Sequence, residues 1–281
     1  MPVFDTPEPI SVTLEIGVGD VQITAEDRTD TIVEVQPTDG TDGSDMKASG
    51  RASVEYDNGV LTIRTPKPRT IDFSRKTRSV DVTIVLPAGS HVRGKASVGD
   101  LRCSGRLGEC RFRTSVGHVE LDHIGPLHLG TAGGHITVGR VDGDAEISTA
   151  TGRIRIGEID GAAAVKNSNG STEIGRVTGD LHVRGTNGDI CVDRPSGLKT
   201  DAETANGSIR VSEVTCGAVV LKTSSGDLEV GIGAGRPARL DLATGYGRVN
   251  NTLDGADEAP GESIDVQAHT SYGDITIHRA L

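Results

Sequence analysis

The stretch SVGDLRCSGRLGECRFRTSVGHVELDHIGPLHLGTAGGHITVGRVDGDAEI, residues 97–147, contains the pattern that decides the fold. In it a glycine is followed by alternating polar and apolar residues, and this unit of about nine residues repeats. One series of glycines recurs about every 18 residues, at positions 99, 117, 134, 152, 170, 188, 207, 226, 247 and 273. A second series lies midway, at positions 108, 125, 143, 161, 179, 197, 217 and 235. Two units therefore form one coil of about 18 residues.

The second and fourth residues after most of these glycines are apolar. Successive side chains of a strand point to opposite faces, so such a pair shares one face. The pairs include Ile136 with Val138, Ala145 with Ile147, Ile154 with Ile156, Ile190 with Val192, and Ile209 with Val211. We predict an all-β fold, a parallel β-solenoid in which two short sheets face each other across an aliphatic core. Such a fold gains its stability coil by coil.

The first 90 residues follow the repeat less regularly. They contain one similar turn, IGVGDV at 16–21, then the polar stretch TDGTDGSDMKASG at 38–50 and the hairpin signal YDNGVLTI at 56–63. We expect residues 1–90 to form an N-terminal β cap and residues 91–281 to form a solenoid of about ten coils. The acidic stretch at 250–263 is expected to be a loop inserted between coils.

Three features carry a resemblance to a known family: ISVTLEIGVGDVQI at 10–23, VDVTIVLPAGSHVRGKASVGDL at 80–101, and the serial turns of the type SSGDL. Together they resemble the bacterial β-strand-repeat family of unknown function whose members are described as candidate adhesins. The resemblance implies a β-solenoid without enzymatic activity, and it supplies no catalytic residues to carry over.

Charge and composition exclude several classes of function. The formal net charge is −11, which disfavours binding to nucleic acids and to anionic lipid surfaces. The opening MPVFDTPEPI has neither a basic segment nor the apolar run of a signal peptide, and no stretch is long and apolar enough to span a bilayer. We therefore expect a cytoplasmic protein without membrane insertion. Association with the cell surface is an alternative that a signal peptide upstream of Met1 would revive.

The sequence contains no clear catalytic motif, so we expect neither an enzyme nor a cofactor. It has no GxSxG element, and GIGAGRP at 231–237 lacks the lysine of a phosphate-binding loop. The turns also lack the GGxGxD spacing of calcium-binding β-rolls. The four cysteines form no CxxC pair, and we expect reduced thiols with Cys103 and Cys110 facing the core.

A cluster of histidines supplies the main alternative, a divalent-metal site. His118 and His135 occupy equivalent positions in successive coils, and Glu120 lies two residues along the same outer face. These three side chains could chelate a metal such as zinc, while the competing interpretation makes them solvated outward side chains. Glycan-active catalysis is a further alternative that rests on outward carboxylate pairs, for example Asp227 with Glu229.

The function that this sequence favours is a non-catalytic structural or interaction scaffold. A solenoid exposes unpaired backbone groups wherever its end is not covered. We expect the last coil, with Tyr272, Ile275 and Ile277, to be such an exposed end. It would either be protected by the acidic loop or pair with another protomer, and a protein partner would bind across several coils.

Overall fold

The structure is a computed structural model, and it describes residues 1–66, 78–253 and 263–280. With 68% of its residues in strands and one helix, the chain is nearly all β, and its strands are parallel in two sheets, as predicted. It divides into two compact units, Met1–Gly139 and Arg140–Leu281. This division differs from the boundary near residue 90 that the sequence suggested.

Unit 1 contains the only helix among the described residues and the first strands of both sheets. Its elements are β1 (Val3–Asp5), β2 (Ser11–Val18), β3 (Val21–Glu26), β4 (Asp30–Pro37), α1 (Gly43–Ser49), β5 (Ser53–Asp57), β6 (Val60–Arg64), β7 (Val80–Pro87), β8 (His91–Val98), β9 (Leu101–Leu107), β10 (Cys110–Val116), β11 (Val119–Ile124), β12 (Leu127–Gly133) and β13 (Ile136–Val141). One sheet has the order β1–β4–β7–β3–β9–β11–β13 and the other β5–β6–β2–β8–β10–β12. We call them sheet A and sheet B.

The N-terminal region combines a regular coil with antiparallel strands. β2 pairs in parallel with β8 and β3 with β9, so these two strands already form a coil. The antiparallel pairs β1–β4, β4–β7 and β5–β6 lie toward the edges of the two sheets. A cap formed by residues 1–90 stays a prediction, which the antiparallel edges support.

The helix α1 begins after Asp42, whose carboxylate accepts hydrogen bonds from the backbone N–H groups of Ser44 and Asp45. An aspartate in this position is a favourable N-cap because it satisfies N–H groups that have no partner within the helix. The sequence analysis took this segment for a polar connection and missed the helix. No helix in the described residues is long and apolar enough to cross a membrane.

Unit 2 continues the same pattern of alternating strands. Its elements are β14 (Ala145–Thr151), β15 (Ile154–Ile159), β16 (Ala163–Asn169), β17 (Thr172–Val177), β18 (Leu181–Asn187), β19 (Ile190–Pro195), β20 (Lys199–Asn206), β21 (Ile209–Val214), β22 (Ala218–Ser225), β23 (Leu228–Ile232), β24 (Ala238–Tyr246), β25 (Val249–Asn251), β26 (Ile264–Tyr272) and β27 (Ile275–Arg279). In this unit sheet A runs β15–β17–β19–β21–β23–β27–β25 and sheet B runs β14–β16–β18–β20–β22–β26–β24.

The strand order shows that the expected exposed coil was the wrong one. β26 lies between β22 and β24, and β27 lies between β23 and β25, so the last coil of the sequence is not the last coil of the sheets. Ile275 and Ile277 are consequently fully buried, and only Tyr272 is exposed, because its side chain points outward. The acidic loop expected at 250–263 lies largely outside the described residues, which omit 254–262.

The core consists of the apolar pairs that the repeat predicts. Ile136, Val138, Ile154, Ile156 and the equivalent residues of other coils are almost completely buried. Where strands pair in parallel, like residues stack on like, for example Ile190 on Ile209 and Val192 on Val211. These aliphatic stacks remove apolar surface from water along each unit, which is the dominant favourable contribution to folding.

The glycines of the first series allow the turns of successive coils to approach each other closely. We call them the glycine column: Gly19, Gly99, Gly117 and Gly134 in unit 1, and Gly152, Gly170, Gly188, Gly207, Gly226, Gly273 and Gly247 in unit 2. At Gly117 the backbone φ angle is +156°, and a Cβ atom there would lie 1.9 Å from the carbonyl oxygen of Gly99. A side chain is therefore excluded both by conformation and by space.

Replacement of Gly117 by alanine tests this constraint, and Gly133 provides the matched control. A Cβ atom on Gly133 would meet nothing within 4 Å. We expect Gly117→Ala to lower the free energy of unfolding by about 3 kcal/mol, because the turn must shift away from its neighbour. Gly133→Ala should change it by less than about 1 kcal/mol. Urea denaturation followed by circular dichroism measures both, and equal effects would contradict the close approach.

Candidate functional site

The residue after each glycine of the glycine column has the same role in several coils. We call this set the turn column: Asp20, Asp100, His118 and His135 in unit 1, and Arg153, Ser171, Asp189, Ser208, Asp227, Asp274 and Arg248 in unit 2. The carboxylate of Asp20 accepts a hydrogen bond from the backbone N–H of Asp100 at 2.9 Å. Asp100 in turn accepts one from the backbone N–H of His118 at 2.8 Å. These bonds give partners to backbone N–H groups at the turns.

His118 and His135, the two histidines of the metal hypothesis, belong to this column. Nδ1 of His118 accepts a hydrogen bond from the backbone N–H of His135 at 3.0 Å. The two rings stack with their centroids 5.0 Å apart, as expected for equivalent positions in successive coils. Both residues precede their strands, however, and therefore lie at the turn rather than on the strand face.

The structure does not bring His118, Glu120 and His135 together as metal ligands. Glu120 lies within β11, where its carboxylate is 3.9 Å from Nε of Arg102. Within residues 1–66, 78–253 and 263–280, no group of three or more histidine, cysteine, aspartate or glutamate side chains is placed to hold a metal ion. His118 instead has the same role as Asp100: its side chain accepts a hydrogen bond from a backbone N–H group of the next turn.

A shallow groove lies on the outer face of sheet A in unit 2. We call it the arginine–glutamate groove; its volume is about 550 Å³, and Arg176, Arg194, Arg210, Glu213 and Glu229 line it. The charged side chains pair between neighbouring strands: Arg194 with Glu213 at 3.0 Å and Arg210 with Glu229 at 2.7 Å. Arginine and glutamate are therefore paired between neighbouring strands, while Arg176 and Arg194 lie side by side on β17 and β19.

Small residues form the floor of the groove. Gly175 lies on β17, and a Cβ atom there would be 2.2 Å from the carbonyl oxygen of Gly157 on the neighbouring strand. Ser212 occupies the same level on β21 and also lines the groove. Asp193 on β19 lies between them, and its carboxylate accepts a hydrogen bond from the hydroxyl of Ser212 at 3.4 Å. These short side chains leave space between the rows of longer charged side chains.

Sequence analysis did not identify this groove, although a signal was present. The strands of sheet A carry a charged residue in the segments VGRV, IGEI, IGRV, VDRP and VSEV, at positions 140, 158, 176, 194 and 213. Arg140 and Glu158 pair at 2.6 Å, so ion pairs of this kind recur along unit 2. The hydrogen bond and the charge of Glu229 raise the pKa of Arg210 above its already high ordinary value, so this cation is permanent.

The threonines near the turns have a structural role. Thr223 and Thr270 are buried, and their hydroxyl groups donate hydrogen bonds to the carbonyl oxygens of Gly207 and Gly226 at 2.9 and 3.1 Å. Outside the core, the side-chain amide of Asn187 donates a hydrogen bond to Asn169 at 2.8 Å, and that of Asn206 donates one to Asn187 at 2.9 Å. Both sets bind one coil to the next.

The cysteines are free thiols, as the sequence predicts. Cys103 and Cys110 are buried in the core. Burial raises the pKa of Cys110 to about 12, with a further contribution from Glu109, and raises the pKa of Cys103 well above 9.0. Thiols of this kind remain protonated at neutral pH, so they are poor nucleophiles and pack as small apolar groups.

These features define a class: a parallel β-solenoid whose turns are linked by glycines and short polar side chains and whose outer faces carry ion pairs. The chain belongs to the Toastrack family (DUF4097), which it matches over residues 11–280. No curated protein matches the chain.

Several solved structures from bacteria resemble it. A candidate cell adhesion protein from Clostridium sporogenes is 15% identical, with 99% of this chain and 98% of that chain covered and a TM-score of 0.28. A candidate adhesin from Bacteroides fragilis is 12% identical, with 98% and 95% covered and a TM-score of 0.39. A candidate adhesin from Parabacteroides merdae is 11% identical, with 98% and 94% covered and a TM-score of 0.43.

Two substitutions of His118 distinguish its role as a hydrogen-bond acceptor at the turn from a role as a metal ligand. His118→Asp keeps an acceptor like those of Asp20 and Asp100, and we expect its free energy of unfolding to equal that of the wild type. His118→Ala leaves the backbone N–H of His135 without this partner and should cost about 1 kcal/mol. Urea denaturation distinguishes the two. A Zn²⁺-dependent rise in melting temperature that both variants lose would instead support the metal site.

Proposed function

We propose that this protein is a non-catalytic interaction scaffold and that the arginine–glutamate groove is its principal binding surface. Its partner would be a protein that lays an extended segment with charges of both signs across the strands of sheet A. The observation that carries the proposal is the set of paired arginine and glutamate side chains along an open groove.

The chemistry of the groove suits a protein partner. Arginine is enriched at protein interfaces because its planar guanidinium binds carboxylates and stacks on other side chains. The ion pairs hold the long side chains of Arg194 and Arg210 in position before binding, so less side-chain freedom is lost when a partner arrives. The side chain of Arg194 is 71% exposed and remains accessible to a ligand.

The other classes of partner receive less support. The net charge of −11 repels nucleic acids and anionic membranes. The metal-binding and glycan-active alternatives receive no support from the family or from the similar structures. A cytoplasmic location belongs to the proposal as well, since the four free thiols are typical of reducing compartments.

Capture of the partner and measurement of its affinity test this function. The full chain, immobilised without occupying the groove, is exposed to a lysate of its source organism, and the retained protein is identified by mass spectrometry and purified. Its affinity is then measured by isothermal titration calorimetry for wild type, Arg194→Glu and Lys222→Glu. Lys222 is an exposed residue on sheet B, so its substitution makes the same change of charge outside the groove.

We expect Arg194→Glu to weaken binding about tenfold or more, since it reverses one charge and places two glutamates side by side. Lys222→Glu should bind as the wild type does. Capture of no partner, or equal affinity for all three chains, would contradict the proposal.

A further inference from the structure

The coil formed by β24 and β25 has a neighbour on one side only among the described residues. β24 is the last strand of sheet B in unit 2 and β25 the last strand of sheet A. We call these two strands the outer coil. An uncovered strand of nine residues presents a row of unpaired backbone N–H and C=O groups, which other strands readily join.

Within the described ranges, the inward side chains of the outer coil lack the cover that those of the neighbouring coil have. Val266 and Ala268 on β26 are almost fully buried, whereas Leu240 and Leu242, their partners on β24, are only partly buried. On the other sheet Val249 is 45% exposed, while its partner Ile275 is fully buried. The aliphatic core therefore reaches the surface at this edge.

The charges of β24 match a second copy of the same strand. Arg239 and Asp241 point outward on either side of Leu240, with side chains 79% and 66% exposed. If two β24 strands meet antiparallel with Leu240 opposite Leu240, each Arg239 lies opposite Asp241 of the other copy. Opposite charges in directly facing positions of an antiparallel pair attract, and like charges repel.

Natural edges are protected by lysines and other charged side chains, by prolines within the strand or by inward-pointing charges. β24, with the sequence ARLDLATGY, has no lysine, no proline and no inward-pointing charge, and its two outward charges are of opposite sign. Its two charged side chains also form weak contacts within the chain, Arg239 with Asp265 and Asp241 with His269, both at 3.6 Å.

We propose that two copies of this chain associate through β24 and form an antiparallel, two-fold symmetric pair of strands centred on Leu240. A two-fold axis makes the contact self-complementary and closes the assembly as a dimer. This inference rests on the edge of sheet B and is independent of the groove and its partner.

Charge reversal provides the test. Each of the variants Arg239→Asp and Asp241→Arg gives residues 239 and 241 the same charge. In a dimer of either variant these like charges face each other at two symmetry-related positions, and we expect dimerisation to weaken at least tenfold. In an equimolar mixture of the two variants, every acidic side chain at these positions faces a basic one, so a heterodimer should form. Sedimentation velocity ultracentrifugation of the full chains over a range of concentrations measures each species.

Asp265→Asn is the matched control, since it removes the partner of Arg239 within the chain and leaves the charges of the edge unchanged. We expect it to dimerise as the wild type does. Circular dichroism and the urea midpoint verify that each variant is folded.

Four results would overturn the proposal: a monomeric wild type at all concentrations, a dimer insensitive to both reversals, variants that do not associate when mixed, or a dimer lost in the Asp265→Asn control. A monomer whose β24 amides resist hydrogen exchange would show that this chain covers its own edge, and it would also overturn the proposal. The groove can still bind its partner in each of these cases, so the proposed function is tested separately.

Discussion

The close approach of successive turns is the constraint on which the rest of the structure depends. At Gly188 and Gly226 a Cβ atom would lie 2.2 and 2.1 Å from the carbonyl oxygen of the glycine one coil away. Any side chain there would push the coils apart and would break the strand pairing on both sides of the turn. With glycine, the backbone N–H of Gly188 reaches the carbonyl oxygen of Asn206 at 2.8 Å, and that of Gly226 reaches Tyr272 at 2.9 Å. The hydrogen bonding of the sheets thus continues through the turn.

The other features of the repeat follow from this spacing. Once the turns are in contact, the residues on either side of them are in register, and like side chains stack on like. Inside, this produces the aliphatic stacks and the buried threonines; at the turns, it produces side chains that accept hydrogen bonds from the next coil. On the outer face of sheet A, it aligns arginines with glutamates and so forms the groove. The binding surface is a product of the same register that forms the core.

The coils and their aliphatic core could be predicted from the sequence, because the spacing of the glycines shows which residues occupy equivalent positions in successive coils. The spacing of Gly117 and Gly134 predicts that His118 and His135 are neighbours, and they are. The role of His118 as a turn acceptor was missed, although aspartate or serine in the same position at Asp100 and Ser208 was a signal for it. The order in which the last coils stack could not be predicted. Every coil has the same pattern of residues, so the sequence does not indicate which coil is the neighbour of which. For that reason Ile275 was expected at an exposed end, while the strand that ends sheet B among the described residues is β24.

The central claim, that the turns are part of the hydrogen-bonded sheets, is tested most directly by amide hydrogen exchange of the native protein, resolved for individual glycines by NMR. The account predicts that the amides of Gly188 and Gly207 exchange as slowly as the neighbouring strand amides, since each donates to the next coil at 2.8 Å. Gly43, at the start of the surface helix α1, serves as the fast reference, because the first N–H groups of a helix have no partner within it. Exchange of the two turn glycines at the rate of Gly43 would contradict the claim, because it would mean that the turns are open to water and do not hold the coils together.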